Sequence, residues 1–207
     1  MEIELNKSFS SGWLMRANYR VARLNGNYEG AFRNDNGQTD PSISSLFDFT
    51  TGQLGLLGDQ FAIGPLNTDR RHVVNGFFSY TFDKTRVKGL TLGTGIRVQN
   101  GTPVSEFGNH PAYGNAGEVP VGGRGKLGRT PVSGQADLHA EYARKLTERY
   151  SLRMGADLFN VADIQPVTAF DQNRDLSFQP TNSNTDFRSI VAYQRPFYAR
   201  FAVKLQF

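Results

Sequence analysis

Apolar and polar residues alternate one by one along much of this chain, and the period is two. In residues 197–207, Phe197, Ala199, Phe201, Val203, Leu205 and Phe207 form one face. Tyr198, Arg200, Ala202, Lys204 and Gln206 form the other. Successive side chains of a strand point to opposite faces, so this pattern predicts a β-strand. Residues 90–99 repeat it, with Leu90, Leu92, Thr94, Ile96 and Val98 against Thr91, Gly93, Gly95, Arg97 and Gln99. Residues 13–23 do so again, with Trp13, Met15, Ala17, Tyr19 and Val21 opposed by Arg16, Asn18 and Arg20. Four further strands are predicted at 2–8, 73–82, 135–146 and 150–160. Phe77 is out of place in the third of these seven.

Ten residues exceed the usual strand length of about 5–6. At about 3.3 Å per residue and a tilt near 40°, ten residues climb roughly 25 Å, the height of the apolar band of a transmembrane barrel. Short turns at 9–12, 83–89 and 147–149 alternate with long excursions at 24–71, 100–134 and 161–196. Short on one side and long on the other is the asymmetry of an outer-membrane barrel, and such loops are out of scale for a compact soluble domain. The predicted fold is all-β, an antiparallel up-and-down transmembrane β-barrel section of about seven strands. Bacterial single-chain barrels have even strand numbers. Seven strands, the last running towards the periplasm, therefore suggest that residues 1–207 are the end of a larger barrel, with Met1 marking a truncation.

Composition narrows the alternatives. Twenty-two Gly and nine Pro exclude a helical bundle, and the absence of Cys excludes disulfides and thiolate metal sites. The chain has no run of eighteen apolar residues, so no transmembrane helix is expected. MEIELNKSF at the N-terminus is acidic and alternating, unlike a secretory signal. The net charge of +4 sets 23 basic against 19 acidic residues, a slight excess.

The charges follow the strand faces. Arg16, Arg20, Arg97, Arg153, Arg200 and Lys204 share the polar faces with Glu2, Glu4, Asp137, His139, Glu141 and Asp157. Arg or Lys costs about 2–4 kcal/mol at the bilayer midplane, so these faces are expected to line the lumen. The near balance of signs suits a wall that pairs internally or with a plug better than a sign-selective pore. Trp13, Tyr19, Tyr80, Phe82, Tyr142 and Phe207 lie on the opposite faces and suit the membrane interfaces.

Several apparent motifs carry no chemistry. Residues 123–128 satisfy G-x-G-x-x-G, but no helix follows to receive a pyrophosphate, and the stretch reads as a flexible outer loop. His72, His110 and His139 lack metal-site spacing, and G-x-S-x-G does not occur. His139 between Asp137 and Glu141 reads as part of a lumenal polar row. Asn34, Asp35, Asn36 and Asp40 surround Gly37 but miss the EF-hand register, so they read as a turn. No catalytic residue, cofactor or metal is expected, and the chain does not read as an enzyme.

The final strand, ending in Phe207 behind Phe201, Val203 and Leu205, resembles the assembly signal of outer-membrane barrels. Asn27-Tyr28-Glu29-Gly30, residues 33–41, Asp69-Arg70-Arg71-His72-Val73, Gly128-Arg129-Thr130-Pro131 and Leu158-Phe159-Asn160-Val161 together resemble the C-terminal barrel of TonB-dependent receptors of the Oar-like branch. That resemblance implies a bacterial outer-membrane location and active uptake through a barrel of about 22 strands holding a plug. The implied partners are membrane lipid, the remainder of the barrel and plug, a TonB-type energising complex acting on a missing N-terminal part, and barrel-assembly machinery recognising Phe207. Recognition is expected in the excursions, with Tyr28, Phe32, Asp35, Asp40, Phe47 and Phe49 as candidates. Two other readings stay open at this point: a passive channel or structural barrel, and a soluble basic β-domain binding nucleic acid. Against the last, arginines and aromatics segregate to opposite faces, whereas a stacking platform mixes them. No nucleic-acid partner is expected.

Overall fold

The computed structural model describes residues 1–26, 63–84, 86–108, 119–176 and 182–207. Among these residues thirteen strands run in order: β1 Glu2–Ser10, β2 Trp13–Val21, β3 Asn25–Gly26, β4 Gly64–Pro65, β5 His72–Thr81, β6 Leu90–Gln99 and β7 Phe107–Gly108. They continue as β8 Val119–Pro120, β9 Ser133–Lys145, β10 Ser151–Phe159, β11 Val167–Phe170, β12 Ile190–Tyr193 and β13 Tyr198–Gln206. No helix occurs among the described residues. The seven long strands form one antiparallel sheet in the order β1-β2-β5-β6-β9-β10-β13. Each pairs with its neighbour in sequence among the long strands, which is the up-and-down meander that the alternation predicts. The sheet is open, with β1 and β13 at its edges.

The short connections gather at one end of the sheet. Ser11 and Gly12 both have positive φ, 54° and 85°, and close the β1–β2 hairpin between the paired Ser10 and Trp13. Two central residues of positive φ match the right-handed twist of the flanking strands. A register shift between Lys7 and Ser10 adds one residue to β1. This bulge hides the end of the strand from a strict period-two count, which stops at Ser8. Lys7 lies on the apolar face, yet its Nζ donates to the carbonyls of Ser10 and Trp13 at 3.0 and 3.1 Å and sits 3.8 Å over the Trp13 ring.

The long excursions gather at the other end, and they carry structure that the alternation does not reveal. Short ladders β3–β4, β7–β8 and β11–β12 form within them, each inside the excursion that joins two neighbours of the main sheet. Among the described residues the buried apolar side chains, Leu66, Val73, Val104 and Phe107, all lie in or beside this layer. Phe107 is fully buried; its N–H donates to the Gln172 carbonyl at 2.8 Å and its own carbonyl receives the Arg174 N–H at 2.7 Å. Glu106 adds a 3.0 Å ion pair with Arg174, which ties the second excursion to the third.

The glycine-rich stretch 123–128 is a closed turn and not the flexible loop expected. Gly123, Gly125 and Gly128 take φ of 106°, 70° and 95°, conformations that only glycine adopts without strain. The Gly125 N–H donates to Ser105 Oγ at 2.9 Å, and Val104 exchanges backbone hydrogen bonds with Gly128 and Leu127.

Candidate functional site: the polar face and the layer above it

Residues directly opposed across an antiparallel pair share a face of the sheet. Arg200 opposes Asp157, Asp157 opposes His139, His139 opposes Gly93, and Gly93 opposes Ser79. One row thus crosses five strands on a single face. A second row joins Gln135, Arg97, Asn75, Asn18 and Glu4, and a third joins Asp137, Gly95, Phe77, Arg16 and Asn6. A fourth joins Ser133, Gln99, Val73, Arg20 and Glu2. Lys204 opposes Arg153, and Glu141 lies two residues beyond His139. The structure therefore brings Arg16, Arg20, Arg97, Asp137, His139, Glu141, Arg153, Asp157, Arg200 and Lys204 onto one face. Phe77, Val73 and Leu14 share it, which explains why Phe77 breaks the pattern of β5.

Some of the charges on this face pair within it. The Arg200 guanidinium donates to Asp157 Oδ2 from Nε at 3.0 Å and from Nη2 at 2.8 Å, and His139 Nδ1 lies 2.6 Å from Oδ1. Arg153 approaches Glu141 at 3.7 Å. Asp137 Oδ1 accepts from Gln135 Nε2 at 2.8 Å and from the Asn160 N–H at 2.9 Å. Asn75 donates to Asn18 at 2.8 Å, and Asn18 to Glu2 at 3.2 Å. His72 stands on the opposite face, where its Nδ1 is 2.8 Å from the Tyr19 hydroxyl, so His72 and His139 cannot share a ligand. No cluster of three metal-ligating side chains occurs among the described residues.

The opposite face is apolar and open. Phe201, Ala156, Ala140, Leu92, Tyr80 and Trp13 form one continuous row across six strands. Phe201 is 76% exposed and Val203 73%. Leu205 and Phe207 are exposed on the same side of β13 and just beyond it. Trp13, Phe78, Tyr80 and Phe82 cluster towards the short-turn end, with ring centroids 5.9 Å apart for Trp13–Phe78 and 4.7 Å for Tyr80–Phe82.

Three residues that build the excursion layer escape a search for alternation. Asp69 is buried; its carboxylate accepts from the Leu24 N–H at 2.7 Å and pairs with the Arg129 guanidinium, with Arg71 at 3.9 Å. Burial acts to raise the pKa of Asp69, but the Leu24 amide, Arg129 and Arg71 outweigh it and hold the carboxyl below the usual aspartate range. Asn160 is also buried, at a φ of 50°, and its Nδ2 donates to the carbonyls of Ile164 and Arg195 at 3.1 and 2.8 Å. Arg70 Nη1 donates to the Asn100 carbonyl at 2.6 Å. All four segments involved, around 69–73, 128–131, 158–161 and the end of the third excursion, flank the strands. Their signal lay in the short motifs quoted above and not in periodicity. The recognition candidates Tyr28, Phe32, Asp35, Asp40, Phe47 and Phe49, and also His110, lie outside the described residues.

No protein-family model matches the chain, and no solved structure matches it significantly. Over 191 residues, 91% of its length, the chain is 32% identical to the TonB-dependent transporter Oar of Myxococcus xanthus. It spans 17% of that protein's length. An all-antiparallel meander of long strands, polar on one face and apolar on the other, fits that likeness, and together they support a fragment of a TonB-dependent receptor.

Proposed function

We propose that this sheet is a seven-strand sector of the C-terminal barrel of an outer-membrane receptor that takes up a solute in a TonB-dependent manner. The remaining strands pair with β1 and β13, because an open sheet edge at membrane depth costs several kcal/mol per unpaired backbone group. The polar face lines the lumen and meets the plug; the apolar face meets lipid. Energy comes from an inner-membrane complex acting on the N-terminal part of the receptor, and Phe207 with Phe201, Val203 and Leu205 presents the strand to the barrel-assembly machinery.

One observation carries the reading. All ten lumenal candidates, spread over five of the seven strands, fall on one face, while the other face exposes Phe201, Val203, Leu92 and Ile96. Arranged so in water, that apolar face would be far larger than a soluble surface sustains. The absence of Cys from the chain allows a direct test. In the full-length receptor, Cys placed at 200 or 204 should react with a membrane-impermeant thiol reagent entering from the lumen. Cys at 201 or 203 should react only with a lipid-dissolved one. The reverse pattern would refute the assignment.

A further inference from the structure

We propose that the corner where the polar face meets the excursion layer is a binding site for an oxyanion, a carboxylate or a phosphate, held by Arg97, Arg70 and the Ser133 hydroxyl. A cavity of about 150 Å³ lies there, lined among others by Arg70, Arg97, Gln99, Ser133, Thr168 and Gln194. Those residues come from the end of the first excursion, from β6, from β9 and from the third excursion, so the completed fold creates the site and no single segment does.

Two guanidiniums converge on this cavity, and no carboxylate lines it. Arg97 has no hydrogen bond or ion pair through its side chain among the described residues. Arg70 spends one N–H on the Asn100 carbonyl, which fixes its position and leaves the rest of its fork available. Burial and the nearby charge of Arg97 both lower the pKa of Arg70. Two cations held this close repel each other, and an anion between them relieves the repulsion. Asp137, two residues further along β9 from Gln135, is already occupied by Gln135 and Asn160.

Unsatisfied polar groups point the same way. Ser133 is more than nine-tenths buried, and its Oγ has no partner; neither does Gln99 Oε1. A buried hydroxyl without a partner is unfavourable, and a bound acceptor relieves that loss. The Gln99 amide can present its NH2 by a half-turn of χ3, the two orientations being distinguished only by their hydrogen bonds. Guanidinium forks match carboxylate and phosphate oxygens in pairs, which favours these groups over a spherical anion. An adjoining cavity of about 270 Å³ shares Arg70 and Thr168 and is lined also by Pro103, Val104 and Phe170. It gives the uncharged body of a small organic acid or phosphate ester a place to lie. The lining stands on this chain's geometry alone; only the access of a solute from the lumen rests on the barrel reading.

The test uses the full-length receptor in detergent, with radiolabelled inorganic phosphate as probe and acetate as competitor. Phosphate should bind saturably. Arg97→Gln should weaken it by about tenfold or more, the loss of one charge-assisted pair of hydrogen bonds. Arg97→Lys should recover part of the affinity and Ser133→Ala should lose a smaller factor, while Arg16→Gln, on the same face but outside the cavity, should change nothing. Displacement by acetate supports a general oxyanion site; phosphate binding that acetate leaves untouched supports a phosphate site, and acetate binding alone a carboxylate site. Binding that survives both Arg97→Gln and Ser133→Ala overturns the proposal. So does failure of a receptor with heat-modifiable gel mobility to bind either probe, and that result leaves the barrel reading intact. A receptor lacking that mobility would instead refute the barrel reading, and saturation with phosphate in it, sensitive to Arg97→Gln, would still support the site.

Discussion

Asp69 and Arg129, sixty residues apart in sequence, form one buried ion pair above the sheet. Arg129 also donates from Nη1 to the Asp69 carbonyl at 2.7 Å and to the Gly101 carbonyl at 3.0 Å. One guanidinium therefore closes the first excursion against the second, satisfying backbone groups and a carboxylate that burial would otherwise leave exposed to each other. The excursions are in this respect a fixed layer, tied to the strands that carry them.

Removing one partner of a buried pair leaves the other charge uncompensated, typically at about 3–5 kcal/mol. Arg129 is 23% exposed, so its carboxylate partner suffers the greater loss. Arg129→Ala in the full-length receptor is expected to cost about 3 kcal/mol, at the lower end of that range. Denaturant unfolding followed by heat-modified gel mobility measures it. An effect below about 0.5 kcal/mol, the scale of an ordinary surface substitution, would show that the pair does not hold the layer.

The same pair sets an acid limit. The carboxyl of Asp69 is held below its ordinary value of 3.8 in the folded chain. Its contribution is fully present above that value and is lost as pH falls through the lowered one. Neutral and mildly acidic conditions should leave the layer unchanged, with loosening only below about pH 4. In Asp69→Asn the pH-dependent part should vanish, while overall stability is lower at pH 7. Limited proteolysis of the receptor across pH reads both; loosening between pH 5 and 7 that Asp69→Asn removes would contradict the assignment.

The seven long strands were legible because a half-buried strand writes its geometry into every second residue, as 90–99 shows by matching β6 at both ends. The charged residues of the polar face were legible for the same reason. The two-residue ladders β3–β4 and β7–β8 were not, since two residues have no period. Neither was the meeting of Arg70, Arg97 and Ser133. Their proximity depends on how the first and third excursions fold back over β6 and β9, and that follows from contacts such as Asp69–Arg129 and Phe107–Gln172 rather than from local pattern. Phe77 shows the limit in the other direction: its type argues for the apolar face, and its register opposite Arg16 and Gly95 overrules it.

Asn160 offers a separable test of backbone and side chain. It ends β10 in the left-handed region and bonds through its amide to the carbonyls of Ile164 and Arg195. Asn160→Gly keeps the conformation and loses the bonds; Asn160→Ala loses both. Gln194 Nε2 also donates to the Ile164 carbonyl, so the loss falls mainly on the Arg195 carbonyl. One hydrogen bond is worth about 0.5–1.5 kcal/mol, and an alanine at positive φ adds about 1 kcal/mol. Unfolding of the receptor should rank native above Asn160→Gly and Asn160→Gly above Asn160→Ala. If the two variants are equal to the native protein, the amide does not anchor the third excursion.

Phe201 and Ala202 are neighbours in β13 with opposite surroundings. Phe201 opposes Ala156 in the apolar row that runs on to Trp13. Ala202 opposes Gly155, in the polar row that contains Glu141, where a Cβ added to Gly155 would meet nothing closer than 3.9 Å. An arginine at 202 has room and finds a carboxylate; an arginine at 201 must enter lipid. The cost in lipid is about 2–4 kcal/mol at midplane and falls towards the interfaces. Phe201→Arg should therefore reduce assembled receptor in the outer membrane several-fold, whereas Ala202→Arg should leave it within the range of ordinary surface changes. Quantitative blotting of the heat-modifiable species in membranes compares the two directly. Equal tolerance would mean that Phe201 does not face lipid, and a greater loss at 202 would mean that the two faces of the sheet are reversed.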